Sequence, residues 1–125
     1  MGKSILIVDD EPHIRELLEQ VLEDLVDDLD LTLHIAKDGL EAIDIIKASS
    51  PDVVVLDVMM PRMNGYEVCE IIKNDKDNNC FVVMLTAKGQ EFDRAHGTMV
   101  GADLYLTKPF EPSEVLEVVR KAIES

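Results

Sequence analysis

Apolar and polar residues alternate along this chain in blocks of two kinds. Five short apolar runs read as strands: Ser4–Val8, Leu31–Ala36, Asp52–Leu56, Cys80–Leu85 and Asp103–Leu106. Between them lie longer stretches with apolar residues at i, i+3, i+4 and i+7, the spacing of one helix face. The first is the most regular, with Ile14, Leu17, Leu18, Val21, Leu22, Leu25 and Val26. Pro12 precedes it, where a missing N–H costs nothing in a first turn. Asp38-Gly39-Leu40-Glu41 predicts a capping box that opens a second helix, and Pro51 closes it. Asn64-Gly65 opens a third, through Val68, Ile71 and Ile72. Glu91–Val100 gives a weaker fourth, with only Phe92, Ala95, Met99 and Val100 as apolar contacts. Gly97 interrupts it at a cost of about 1 kcal/mol relative to alanine, so this helix is expected to be the most mobile element. Glu111-Pro112-Ser113-Glu114 starts the last helix, which buries Val115, Leu116, Val119 and Ile123.

Strand composition predicts the order in the sheet. Ile5–Val8, Val53–Leu56 and Phe81–Leu85 are apolar throughout, as strands covered on both faces must be. Leu31–Ile35 alternates and Asp103–Leu106 is short and mixed, so both belong at edges. A doubly wound α/β fold with a five-stranded parallel sheet in the order 2-1-3-4-5, flavodoxin-like, satisfies this. Right-handed crossovers then place helices on both faces. Ligands of such folds bind beyond the carboxyl ends of the strands, where strands one and three part.

Composition narrows the function. With 125 residues, 46% of them hydrophobic, the chain is expected to form one ordered domain, residues 1–125. Twelve basic against 26 acidic side chains give a formal charge of -14. Such a surface repels nucleic acid and anionic membranes, so direct DNA binding and membrane association are not expected. No apolar run approaches the roughly 20 residues of a membrane span. The first strand begins almost at Met1, which argues against a signal peptide. Cys69 and Cys80 make no ligand pattern and read as two free thiols, so a cytoplasmic location is expected.

The candidate chemistry sits where the strands end. Asp9 and Asp10 follow the first strand, Asp57 the third, Thr86 the fourth and Lys108 the fifth. Two unit charges 4 Å apart repel by about 4 kcal/mol at an effective dielectric of 20, and Asp57 adds a third. Lys108 answers part of that charge, and a hard cation held by oxygens answers the rest. Few carboxylates with open positions suit Mg²⁺. Asp57 is the nucleophile candidate, since a carboxylate can attack phosphorus to give a mixed anhydride. Taken singly, each residue has a plainer reading: Asp9 and Asp10 as helix caps, Thr86 as a β-favoured strand end, Lys108 as a solvated charge. Their convergence outweighs these, because perturbed titratable groups cluster at functional sites. Pro109 after Lys108 allows a cis bond that fixes the lysine's aim.

At these residues the chain resembles the receiver domain of two-component response regulators, the CheY-like class. The resemblance spans essentially the whole chain. It rests on Asp9-Asp10-Glu11-Pro12, Asp57-Val58-Met59-Met60-Pro61 with Gly65, Thr86-Ala87, and Tyr105-Leu106-Thr107-Lys108-Pro109-Phe110. It implies that Asp57 accepts phosphate from a histidine kinase, a phosphotransfer protein or a small phosphodonor. It further implies that Asp10, Asp57 and the Met59 carbonyl ligate Mg²⁺, with Mn²⁺ as an alternative and Asp9 acting mainly through water. Lys108 would pair with phosphoryl oxygens, with Ala87 leaving access. Thr86 and Tyr105 would form a switch pair, and Pro61 and Gly65 would shape the loop after the nucleophile. The signalling face would be the fourth helix, fifth strand and fifth helix, which could also support a homodimer.

A phosphorylation-controlled signalling switch is therefore the leading function, acting on a downstream protein or on a linked output domain. Enzymatic activity is expected to be limited to slow self-phosphorylation and self-dephosphorylation. The competing readings are a phosphate sink or non-switching scaffold, and a phosphohydrolase. Thr86 and Tyr105 argue against the scaffold. Hydrolases of this kind commonly place a general acid two residues after the nucleophile, where this chain has Met59. His13, His34 and His96 share no metal spacing, and Met59, Met60, Met63 and Met84 read as loop and core residues rather than a copper site. Glu23, Asp24, Asp27 and Asp28 at the end of the first helix oppose its dipole, so fraying is expected there.

Overall fold

Every second residue of the central strands enters a different core. In a computed structural model, which describes residues 2–75, 78–87 and 102–124, the strands are β1 (Ser4–Val8), β2 (Thr32–Ala36), β3 (Val53–Asp57), β4 (Phe81–Ala87) and β5 (Leu104–Lys108). Leu6, Val8, Val54, Leu56, Val82 and Met84 point to one face, where Ile43, Ile46, Val68 and Ile72 cover them. Ile5, Ile7, Val53, Val55, Val83 and Leu85 point to the other, against Leu18, Leu22, Leu25, Val115, Val119 and Ile123. The covering helices are α1 (Pro12–Asp28) and the C-terminal helix (Pro112–Glu124) on the second face, α2 (Gly39–Ser49) and α3 (Gly65–Asn74) on the first. All strands are parallel, in the order β2-β1-β3-β4-β5, as strand composition predicts. The two edge strands are only partly buried.

Strand ends depart from the sequence reading in one direction. β3, β4 and β5 each start one residue later than expected and run one or two residues further. At the starts, aspartate side chains take the place of ladder bonds: Asp52 Oδ2 accepts from Ser4 N–H (2.9 Å) and Asp103 Oδ2 from Val82 N–H (2.8 Å). At the ends, the parallel ladder carries polar residues onward, pairing Thr86 with Thr107 and Ala87 with Lys108. The functional candidates are thus strand residues, held by the sheet itself.

Helix ends follow from local chemistry. Asn64 and Glu67 form a reciprocal capping box on α3. At α2 only half of the expected box forms. Asp38 Oδ1 accepts from Glu41 N–H (2.8 Å), but Glu41 reaches past the cap to Lys37 N–H (3.2 Å). The acidic end of α1 is closed by backbone bonds: Asp30 adopts φ 53°, Asp30 N–H donates to the Asp27 carbonyl and Leu31 N–H to that of Val26. These bonds form a Schellman closure, with aspartate where glycine is usual. The fourth helix expected over Glu91–Val100 lies outside the described residues.

Candidate functional site

The sheet order decides which polar residues meet. β1 and β3 are neighbours, β4 lies beside β3 and β5 beside β4, so Asp9, Asp10, Asp57, Thr86 and Lys108 gather at one sheet edge. Lys108 Nζ bridges two carboxylates, 3.0 Å from Asp9 Oδ2 and 3.0 Å from Asp57 Oδ1. Asp9 is fully buried and Asp57 4% exposed, whereas Asp10 is exposed. The Lys108–Pro109 peptide is cis.

One carboxylate oxygen from each of Asp9, Asp10 and Asp57 falls within 4.8 Å of the others. Burial pushes the Asp57 carboxyl up to about 6, and the neighbouring charge of Asp9 adds to it; the hydrogen bond and charge of Lys108 offset only part. Burial works against the Lys108 ammonium, but its hydrogen bonds and ion pairs to Asp57 and Asp9 prevail and raise its pKa. One ammonium among three carboxylates leaves net negative charge on converging hard oxygen donors, the donor set that a divalent cation such as Mg²⁺ takes.

The loop after β3 is built to a fixed shape. Val58 N–H donates to the Leu85 carbonyl (3.2 Å) and Gly65 N–H to that of Val58 (2.9 Å). Between them Met63 N–H donates to the Pro61 carbonyl (2.7 Å) across Arg62 at φ 68°, a γ-turn of the uncommon hand. The Arg62 guanidinium reaches Asp38 Oδ2 at 3.4 Å, so the buried cap of α2 also holds this loop. Met59 lies on the loop with its side chain 62% exposed.

Thr86 is buried at the end of β4. Two residues earlier Met84 shares its sheet face, and Tyr105 lies opposite Met84 with its ring partly buried against the same core. Ala87 pairs with Lys108 in the ladder. Of the residues singled out in the sequence, Asp9, Asp10, Asp57 and Lys108 are thus brought into mutual reach. The histidines are not: His13 pairs with exposed Glu11 (3.1 Å), His34 is on edge strand β2, and His96 lies outside the described residues. Both cysteines are buried and outside any disulfide, with burial pushing Cys69 up to about 11 and Cys80 to about 12.

Sequence reasoning missed two basic residues. Arg62 holds the loop through Asp38, and Arg15 Nη1 donates to the Asp9 carbonyl at 2.8 Å. Arg15 is one turn into α1, a position where a basic side chain can fold back on the preceding loop; for Arg62, only the positive φ and the packing of two loops reveal the contact.

Known proteins resemble this chain in sequence and in fold. The family model for the response regulator receiver domain matches residues 5–120. The alkaline phosphatase synthesis transcriptional regulatory protein PhoP of Bacillus subtilis is 47% identical over 116 residues, covering 92% of this chain and 46% of PhoP. Protein PilG of Pseudomonas aeruginosa is 36% identical over 128 residues, covering 99% of this chain and 90% of PilG. A crystal structure of a putative response regulator from Chloroflexus aurantiacus superposes with a TM-score of 0.88 at 32% identity, over 100% of both chains. The chain spans about half the length of several curated relatives it matches, PhoP among them. Among the described residues no helix is long and apolar enough to cross a membrane.

Proposed function

This chain belongs to the response regulator receiver domain family, and on that premise we propose that residues 1–125 form one receiver domain with Asp57 as its phosphoacceptor. The domain is a phosphorylation-activated signalling switch. The observation that carries the assignment is the Lys108 ammonium, 3.0 Å from both Asp57 and buried Asp9. It holds the acceptor carboxylate and offers a fixed positive charge where phosphoryl oxygens arrive.

Lys108 takes Oδ1 of Asp57, which leaves Oδ2 without a donor among the described residues. That oxygen attacks phosphorus in line with the leaving group. The bond to the donor breaks, a histidine kinase or phosphotransfer protein recovers a neutral imidazole after taking up a proton, and Asp57 becomes an acyl phosphate. Asp10, Asp57 and the Met59 carbonyl would hold Mg²⁺ or Mn²⁺, with Asp9 reaching it through water; when bound, the ion neutralises carboxylate charge and polarises the phosphoryl group. Small phosphodonors serve the same chemistry. Catalysis by the domain itself is confined to slow self-phosphorylation and self-dephosphorylation.

The phosphoryl group adds strong acceptor oxygens beside β4. Moving a population from 1:99 to 99:1 takes about 5.5 kcal/mol. A Thr86 hydrogen bond supplies about 1 kcal/mol, so charge-assisted contacts from Lys108, each about 1.5–3 kcal/mol, together with the cation must supply most of the remainder. Thr86 moves towards the phosphoryl group, and Tyr105 turns inward on β5. The output is a change in binding to a downstream protein or a linked output domain, of which the regulatory name of PhoP gives one kind. A homodimer through the face that carries β5 and the C-terminal helix is a further route. The charge of -14 disfavours direct nucleic-acid contact by this domain, and two cysteines outside any disulfide support a cytoplasmic location.

Beryllofluoride with Mg²⁺ tests this reading, because it mimics the phosphoryl group without turnover. Amide resonances of Thr86 and Tyr105 are expected to shift in wild type only when both are present, and not in Lys108→Ala. Equal shifts with Mg²⁺ alone would favour a non-switching scaffold.

A further inference from the structure

Each polar group of Asp9 has a partner within the protein. Its N–H donates to the Ala36 carbonyl (3.3 Å), and its carbonyl accepts from Arg15 Nη1 (2.8 Å). Its Oδ1 accepts from Glu11 N–H (3.0 Å) and its Oδ2 from Lys108 (3.0 Å). Asp10, the next residue, is exposed and takes no hydrogen bond among the described residues. Its place beside the other two carboxylates therefore depends on the backbone of the turn that carries it. Among the described residues, Arg15 is the one side chain from outside the turn that hydrogen-bonds that backbone, alongside the turn's own Asp9 Oδ1 on the Glu11 N–H. Its half-buried guanidinium reaches back six residues to a carbonyl, although a cation beside an acidic cluster would be drawn to a carboxylate by charge alone.

We propose that Arg15 is a positioning residue for the acidic site: by holding the Asp9 carbonyl it sets the Asp9-Asp10-Glu11 turn and presents Asp10 to a divalent cation. The inference rests on the reading of that site as a cation site. Partners that orient ligands are commonly worth a factor of ten or more in metal affinity. The guanidinium also carries a positive charge, which by itself repels a cation. Charge and anchoring therefore predict opposite consequences of removing it, and the sign of the change separates them.

The test compares wild type with Arg15→Met, which keeps most of the apolar stem, with Arg15→Lys, and with Arg120→Met, an exposed arginine on the C-terminal helix. Mg²⁺ is titrated into each unphosphorylated protein by calorimetry. Arg15→Met should bind about tenfold more weakly, Arg15→Lys should fall between, and Arg120→Met should match wild type. In metal-free protein, exchange of the Glu11 amide should quicken in Arg15→Met and not in Arg120→Met. Binding by Arg15→Met as tight as wild type or tighter overturns the proposal. If wild type itself binds no Mg²⁺, the cation-site reading fails instead, and unchanged Glu11 exchange would then dismiss the anchoring role on its own.

Discussion

Gly65 lies against the carbonyl of Asp57. A Cβ built on it would collide with that oxygen and stand 2.9 Å from Val58 Cα. The first residue of α3 and the last residue of β3 are thus packed backbone to backbone, and the loop between them is pinned at both ends. Gly65→Ala must push the acceptor strand or the helix aside, because the atoms it meets are main chain. Overpacking of this kind costs about 1–3 kcal/mol. Urea unfolding should show that loss, and phosphorylation from a small donor should slow even at temperatures where the variant is fully folded.

Asp38 has two tasks that substitution can separate. Its Oδ1 caps α2 and its Oδ2 meets Arg62 on the acceptor loop. Asp38→Ala should cost about 1–2 kcal/mol, at the upper end for a lost cap, since the ion pair with Arg62 is lost with it. Asp38→Asn should keep most of the cap and lose the charge, and Arg62→Ala should resemble it. Chemical denaturation of the three variants checks the ranking. A similar loss for Asp38→Asn and Asp38→Ala would assign the effect to the ion pair rather than the cap.

How much of this was readable in the sequence depends on what each feature rests upon. The central strands are legible because Ile5–Val8, Val53–Leu56 and Phe81–Leu85 face two cores and carry no polar break. Their carboxyl ends are not, since Asp57, Thr86 and Lys108 are polar residues kept in strand conformation by neighbours far away in sequence. The α3 box forms as Asn64 and Glu67 predict, whereas the matching letters at Asp38 and Glu41 give half a box because Glu41 finds the Lys37 amide. The acidic residues of the site could be picked out because each follows an apolar strand, so that the predicted sheet order gathers them. The arginines that hold its loops could not, because their partners are a carbonyl and a cap reached only after folding.

The acid shift of Asp57 has a sign that can be followed. Its carboxyl stands near 6 in the folded chain against 3.8 for the ordinary group, so the folded state holds this proton more tightly. The stabilisation linked to it is complete below about pH 4 and is lost as pH rises through about 6. Metal-free protein should therefore be less stable at pH 7.5 than this group alone would allow at pH 4. Asp57→Asn should stabilise the metal-free protein at pH 7.5 by on the order of 1–2 kcal/mol, with the advantage shrinking towards pH 4. Mg²⁺ affinity should rise about tenfold per pH unit below 6 and level off above it, as one proton is displaced. Thermal melts in chelator and calorimetric titrations across this range check both. A wild type and Asp57→Asn pair with parallel pH profiles would contradict them.

The most direct measurement is the site and cation dependence of phosphate uptake. Wild type incubated with acetyl phosphate and Mg²⁺ should gain one acid-stable but base- and hydroxylamine-labile phosphoryl group. Borohydride trapping and peptide mass analysis should place it on Asp57. Asp57→Asn, and wild type in chelator, should gain none. Full labelling of Asp57→Asn at another residue would contradict the account, and so would undiminished labelling of Asp57 without a divalent cation.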